Sequence, residues 1–360
     1  MKRTSAVIFA VLVFMLSSFG SFGQAIASDE VFVLKLDHSD SVASTSTAGL
    51  RIWADEIEKA SNGRLQIEFY YSSTLGSPLD AYTNLLTGVS DIAWVATLIF
   101  SGTWPLYEGG VIPMLGAANN ISAGIANWRM FEENEQLQAG FSNAKVLTLF
   151  TNECFIIISN GLDPSKLENY NGIRGRTSGS VQSDFVHKLG GSPMSIPVGE
   201  VYEAYNKRIV DFVFWNYSGT VAFGLLPDTN YLMTDVVGYA PMAILMNKQK
   251  YESLPDDLKK IIDDHSGEHL SKLIASAWFD GGVNAVGRIV EQGVSIVNAE
   301  PALVELFNNA SEELKVEFIE NMRARGLDGE GYLNRLQEII QITNELYPNN
   351  FYEEYVQSQR

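Results

Sequence analysis

From Val31 to Ala96 the chain switches repeatedly between two hydrophobic periods, and few folds accommodate that switching. Val31 to Leu36 alternates as a strand. A polar loop, His38-Ser39-Asp40-Ser41, leads into an amphipathic helix from about Ser44 to Ser61, stopped by Asn62-Gly63. Leu65 to Tyr71 alternates again, Leu79 to Thr87 has helical spacing, and Asp91 to Ala96 reads as a third strand. A β-α-β-α-β order predicts parallel strands joined by crossover helices. In such sheets the C-terminal strand ends carry binding loops, here Ser39-Asp40, Tyr71-Ser72 and Thr97-Leu98.

A loop punctuated by Pro and Gly, Trp104 to Gly116, precedes a helix expected over Ile121 to Gln138. Strands follow at Lys145 to Thr151 and Phe155 to Ser159. The scheme then repeats. Gly175 to Ser178, Met194 to Ile196 and Val210 to Trp215 read as strands, with helices at Val181 to Leu189 and Val198 to Asn206. Tyr239 to Asn247 is read as a strand returning to the first half, and Asp256 to about Leu346 as nearly all helical. The expected fold is α/β, a two-domain binding-protein architecture. Each lobe is a mixed, mostly parallel sheet flanked by helices, and a ligand cleft lies between them. The expected division is 28–152 plus 241–280 for the first domain, 153–240 plus 281–346 for the second, and 347–360 as a C-terminal tail.

The N-terminus bears on compartment. Lys2 and Arg3 precede an apolar run from Ala6 to Phe19, and Ala25-Ile26-Ala27 is a small-x-small cleavage site. Residues 1–27 are therefore expected to be a signal peptide for export to the periplasm. The run is short for a membrane span, which needs about 20 residues. Cleavage takes the net charge from −18 to about −20. A chain this acidic is a poor partner for nucleic acid or anionic lipid. An anion site on it needs a local, buried cation, because the global field opposes the ligand. The single Cys154 lies in the apolar run Cys154-Phe155-Ile156-Ile157-Ile158 and reads as a buried small hydrophobe.

Arg174 and Arg176 stand at a strand, beside Thr177-Ser178-Gly179-Ser180. A guanidinium stays charged and offers a planar fork that matches a carboxylate or sulfonate. The spacing leaves open which arginine points inward. Phe214, Trp215 and Tyr217 follow within four residues of each other, with Phe155 as a further aromatic. Successive strand side chains alternate, so they cannot all face one core, and at least one is expected to line the cleft. Asn216 among them is a candidate hydrogen-bond partner for a ligand oxygen. His265-Ser-Gly-Glu268-His269 fits H-x-x-E-H, an inverted zincin pattern, and raises the rival reading of a zinc peptidase. The plainer reading is the solvated face of an amphipathic helix, with no metal and no cofactor. There is no G-x-S-x-G and no Gly-rich phosphate loop.

Taken in order, several motifs resemble the DctP-type periplasmic solute-binding proteins of tripartite ATP-independent periplasmic (TRAP) transporters, from about Val31 to Leu346. They include Ser73-Thr-Leu-Gly76, Val89-Ser-Asp-Ile-Ala93, Gly172-Ile-Arg-Gly-Arg176, Leu189-Gly-Gly-Ser-Pro193, Gly199-Glu-Val-Tyr202 and Ile209-Val-Asp211. The resemblance implies a binding protein without catalysis, which captures an organic acid, closes, and delivers it to a membrane permease. It implies Arg176 as the clamp on the ligand carboxylate, contacts around Trp215 and Asn216, and a long helix crossing both domains, matched by Asp256 to Gln292. Phe155 and Tyr217 are expected to pack the ligand body, with Phe214 nearby. Asp40, Tyr71 and Thr97 are the first-domain candidates. The chain has Asp211-Phe-Val-Phe214 where many relatives have D-G-x-E, and Cys154-Phe155 where sialic-acid-type relatives carry a second arginine. Both departures point to a monocarboxylate with an aromatic or hydrophobic body. A small sulfonate satisfies Arg176 equally, and a ligand-binding sensor subunit with the same fold is a further alternative. A monomer is expected, although Tyr332 to Tyr355 offers a dimerisation segment of the kind some relatives use.

Overall fold

The computed structural model describes residues 30–359; the expected signal peptide lies outside them. Eleven strands are formed among the described residues. In chain order they are β1 (Phe32–Asp37), β2 (Leu65–Tyr70), β3 (Ile92–Val95), β4 (Ala144–Thr151), β5 (Phe155–Ser159), β6 (Arg174–Thr177), β7 (Ser192–Ser195), β8 (Phe212–Trp215), β9 (Tyr231–Gly238), β10 (Pro241–Asn247) and β11 (Ser295–Val297). They make two mixed sheets, ordered β2-β1-β3-β10-β4 and β11-β9-β5-β8-β6-β7. The β1–β2, β1–β3, β6–β7, β6–β8 and β9–β11 pairs are parallel, as the crossover pattern required. β10 and β5 run antiparallel to their neighbours.

Antiparallel strands arise where the chain changes sheet. β4 leads through 152–154 into β5, and β9 leads through 239–240 into β10. The two crossings lie side by side. Asn152 N donates to Ala240 O at 2.9 Å, and Ala240 N donates to Asn152 Oδ1 at 2.6 Å. Their backbone polar groups are thus satisfied in a buried position where unpaired amides would be costly.

Each sheet buries apolar side chains on both faces. Leu34, Leu36, Ile92, Trp94 and Ile244 of the first sheet pack with Leu50, Trp53 and Ile57 of the helix Thr45–Ala60. Leu270, Ile274 and Trp278 of the helix Glu268–Glu291 join the same cluster, whereas Phe279, Ala285, Val286 and Ile289 of that helix pack with Ile156, Val213 and Trp215 of the second sheet. One 24-residue helix, about 36 Å long, therefore serves both lobes. It meets the helix Thr45–Ala60 at very short range: a Cβ placed on Gly49 would stand 2.5 Å from Ile274 Cα.

The structure departs from sequence expectation at several places. The helical stretch from Asp256 is interrupted: one helix ends at Asp264, and Gly267, at φ +68°, precedes the next. The helix expected over 121–138 breaks at Asn134, whose side chain caps the short helix Glu135–Gly140 by accepting from Leu137 N. β9 and β11 were not anticipated; β9 carries Leu232, Met233 and Val237 into the core beside β5. Within the stretch expected as a tail, Phe351–Ser358 is a helix with a reciprocal Asn350–Glu353 capping box. Its Phe351 is fully buried against Phe279 and Tyr217. Tyr332 is likewise buried within the chain.

Gly49→Ala is expected to lower stability by about 2–3 kcal/mol, because the added methyl meets backbone rather than a movable side chain. The urea midpoint of the purified protein reads this directly.

Candidate functional site

Arg176 is the next-to-last residue of β6, and it is only 3 % exposed. Three contacts fix its guanidinium. Nε donates to Ile196 O at 3.0 Å, Nη1 donates to Ser178 Oγ at 2.9 Å, and the group lies over the Trp215 ring, 5.1 Å from its centroid. Ser178 is itself held by Gln182, whose Oε1 accepts from Ser178 N at 2.8 Å. Strand register explains the stacking, since Arg176 is paired with Val213 and Trp215 lies two residues further along that strand. Among the described residues no carboxylate stands within ion-pair distance of Arg176, and Nη2 has no protein partner. Burial lowers the guanidinium from its ordinary value to about 10, so it remains a cation at neutral pH. Arg174 differs entirely: it is exposed and bidentate to Asp211, with Nε–Oδ2 at 3.0 Å and Nη2–Oδ1 at 2.7 Å. The question left open by the spacing is settled by position along the strand, not by face.

The remaining second-lobe candidates divide. Trp215 is 6 % exposed, edge-on to Phe223, and its Nε1 is buried without a partner. Asn216 spends its side-chain oxygen as an N-cap, accepting from Gly219 N at 2.6 Å. Phe214 packs edge-on to Phe212 and beside Phe185, on the opposite face of the sheet from Arg176. Phe155 belongs to that same cluster. Tyr217 is buried against Phe351, which packs beside the middle of the long helix.

On the first lobe, Asp40 gathers serine hydroxyls, accepting from Ser46 Oγ at 2.5 Å. Tyr71 stacks on Phe69 with centroids 5.2 Å apart. Thr97 is buried and donates to Pro241 O at 2.6 Å, which ties the end of β3 to the start of β10. Just beyond it, Leu98 faces Gly179; a Cβ on Gly179 would be 3.2 Å from Leu98 O. The segments after β3 and after β6 therefore meet across the cleft.

Two buried titratable groups were not singled out by sequence reasoning as site residues. His38, at the end of β1, stacks on Trp94 at 4.7 Å and shares a hydrogen bond with Thr47 Oγ1 at 2.9 Å. Burial pushes its imidazole down to about 4, so it is neutral. Glu153 lies in the β4–β5 crossing, fully buried, with no cation beside it. It accepts from Ser218 N at 3.1 Å and from Ser218 Oγ. Burial outweighs these bonds and lifts the carboxyl from 4.5 to about 7. Nothing in the local sequence, Thr-Asn-Glu-Cys, marks it as internal.

The H-x-x-E-H pattern does not form a site. The helix break puts its ends on two helices: His265 caps one, while Glu268 and His269 begin the next, with the two imidazoles edge to face at 6.4 Å. Glu268 is held by Arg129 at 2.8 Å, and His269 Nε2 by Glu56 at 2.6 Å. Among the described residues no group of three or more His, Cys, Asp or Glu converges.

Two sheets joined by paired crossings make a two-lobed fold. The sequence matches the DctP family, bacterial extracellular solute-binding protein family 7, over residues 36–321. The chain belongs to this family, the solute-binding components of TRAP transporters. A TRAP solute-binding protein from an unidentified marine microbe, specific for aromatic acid ligands and solved with metahydroxyphenylacetate, is 26 % identical. It superimposes with a TM-score of 0.81 over 88 % of this chain and all of that one. The protein from Rhodoferax ferrireducens solved with copurified benzoate has the same TM-score and coverage at 21 % identity. A solute-binding protein of Albidiferax ferrireducens is 20 % identical over 275 residues, 73 % of this chain and 78 % of that protein.

Glu153 generates a pH test. Below about pH 4.5 its carboxyl is protonated whether the chain is folded or not; between 4.5 and about 7 the unfolded chain gives up its proton first. Its contribution is thus fully present at low pH and lost as pH rises through about 7. Relative to Glu153→Gln, the wild type is expected to lose on the order of 3 kcal/mol between pH 4.5 and pH 8. Urea unfolding of both proteins at the two pH values checks the sign and size.

Proposed function

We propose that the chain is a periplasmic binding component that captures a monocarboxylate with an aromatic or hydrophobic body and hands it to a TRAP permease. Arg176 clamps the acid group and Trp215 shapes the space beside it. One observation carries the reading: a buried guanidinium, held rigidly by protein contacts that neutralise none of its charge. A buried cation needs a partner, and a chain of net charge −18 has no surplus of its own positive field to attract one. An anion that fills the cleft supplies the partner and gains a charge-assisted, desolvated pair.

A single cation suits a single acid group. Phe155 stands where a second arginine would favour a larger polar acid, and the Trp215 ring lies under the guanidinium. The marine relative specific for aromatic acids supports the same class. Asp40, Tyr71 and Asn216 are proposed as secondary contacts at the rim. Phe155, Phe214 and Tyr217 are proposed to shape the site from behind, and Thr97 to hold the first lobe's edge.

Calorimetry with benzoate, 3-hydroxyphenylacetate, mandelate and isethionate tests the assignment. At least one aromatic acid is expected to bind, and Arg176→Ala to weaken it by about 100-fold or more while the unfolding transition persists. Trp215→Ala is expected to cost about tenfold. Affinity unchanged in Arg176→Ala would sink the reading, and isethionate binding above all the aromatic acids would replace carboxylate by sulfonate.

A further inference from the structure

A cavity lies away from Arg176. It has a volume of about 250 Å³, and its walls come from the loop around Gly116, the helix Asn120–Glu133, the β9–β10 crossing and the helices Pro301–Ala324 and Gly329–Leu346. Neither Arg176 nor Trp215 touches it. The space exists because small residues face it: Gly110, Gly116, Ala117, Ala123 and Gly238 contribute almost no side chain. It reaches solvent beside the exposed Gly116 and Asn308.

No charged residue lines this cavity. Most of its wall is apolar, and Asn127 projects from it as a distinct polar feature. Asn127 is 4 % exposed, and its Nδ2 donates to Ala123 O of its own helix at 2.8 Å. That bond fixes the amide orientation, because the flipped amide would set two carbonyl oxygens against each other. Oδ1 therefore carries the free lone pairs, and it is buried without a partner. Buried acceptors in native proteins are nearly always satisfied.

From this combination we infer that the cavity is a second ligand site, for a small neutral molecule with an apolar body and one hydroxyl donor, of the phenol type. The hydroxyl donates to Asn127 Oδ1, and the ring fills the space left by the small residues. Cavities with mainly apolar walls take up small aromatic molecules. Neutrality follows from the uncharged wall: an anion or cation would be desolvated there with no counter-charge. The occupant would lie against Thr151 and Val236 to Tyr239, which lead into the two crossings between the sheets.

The test is a titration of phenol into the purified exported protein by calorimetry, with toluene as the comparator that lacks a donor. Phenol is expected to bind at one saturable site, about tenfold or more tighter than toluene. Asn127→Leu is expected to remove that preference, and Ala117→Leu, which fills the cavity, to abolish binding of both. Val236→Phe serves as the filling variant if Ala117→Leu does not fold. Arg176→Ala is expected to leave phenol binding unchanged, which separates this site from the proposed acid cleft. The inference is overturned if phenol shows no saturable binding, so that the cavity holds only water. It is equally overturned if binding survives the filling variant or disappears with Arg176.

Discussion

The paired hydrogen bonds between Asn152 and Ala240 sit at the point on which the two-lobed arrangement turns. Two chain segments leave one sheet and enter the other here, and each needs partners for its amides where water is scarce. They find them in each other. The pairing holds the crossings in register, places β5 and β10 antiparallel inside otherwise parallel neighbourhoods, and sets the strand ends of both sheets on the cleft. Arg176 and Trp215 inherit their positions from that geometry, because β6 is placed by β8 and β8 by β5.

Charge is distributed unusually around this framework. Most ion pairs are exposed and contribute little each, as with Lys207–Glu203 or Lys260–Asp264. Arg176 and Glu153, by contrast, are buried ionisable groups of opposite sign with no ion pair among the described residues. Arg176 keeps its charge; Glu153, in the crossing, is pushed toward its neutral form. The difference is physical. A guanidinium starts so far above neutrality that burial cannot discharge it, whereas a carboxyl starts close enough to be moved across.

Much of the fold was legible in the residues. Alternation and helical spacing located the first sheet's parallel strands, and the repeat of that scheme announced a second sheet. What escaped was governed by tertiary context. β9 follows a Pro227-Asp228 turn and carries apolar pairs without clean alternation, since both its faces are buried in part. The break at Gly267 was invisible inside a helical pattern until its positive φ and its contact with Trp128 were known. Of the candidate site residues, Arg176 and Trp215 are in mutual contact. Phe214 and Tyr217 read the same way in sequence, yet strand alternation and the buried Phe351 draw them into cores. Asn216 was chosen for its polarity; the start of a short helix uses that polarity first. Asn127 had no signal at all, because an orphaned amide is a property of its surroundings.

The helix Glu268–Glu291 has a mechanical consequence. Its first half is keyed into one lobe by Leu270, Ile274 and Trp278, and its second half into the other by Ala285, Val286 and Ile289. Any change in the angle between lobes is therefore felt as curvature of a single rod. Gly281 and Gly282 lie between the two keyed halves, with Thr45 on one side and Phe351 and Glu153 on the other. The rod is thinnest where it must flex and hemmed in where it flexes. Any motion of one lobe against the other would be resisted by this helix.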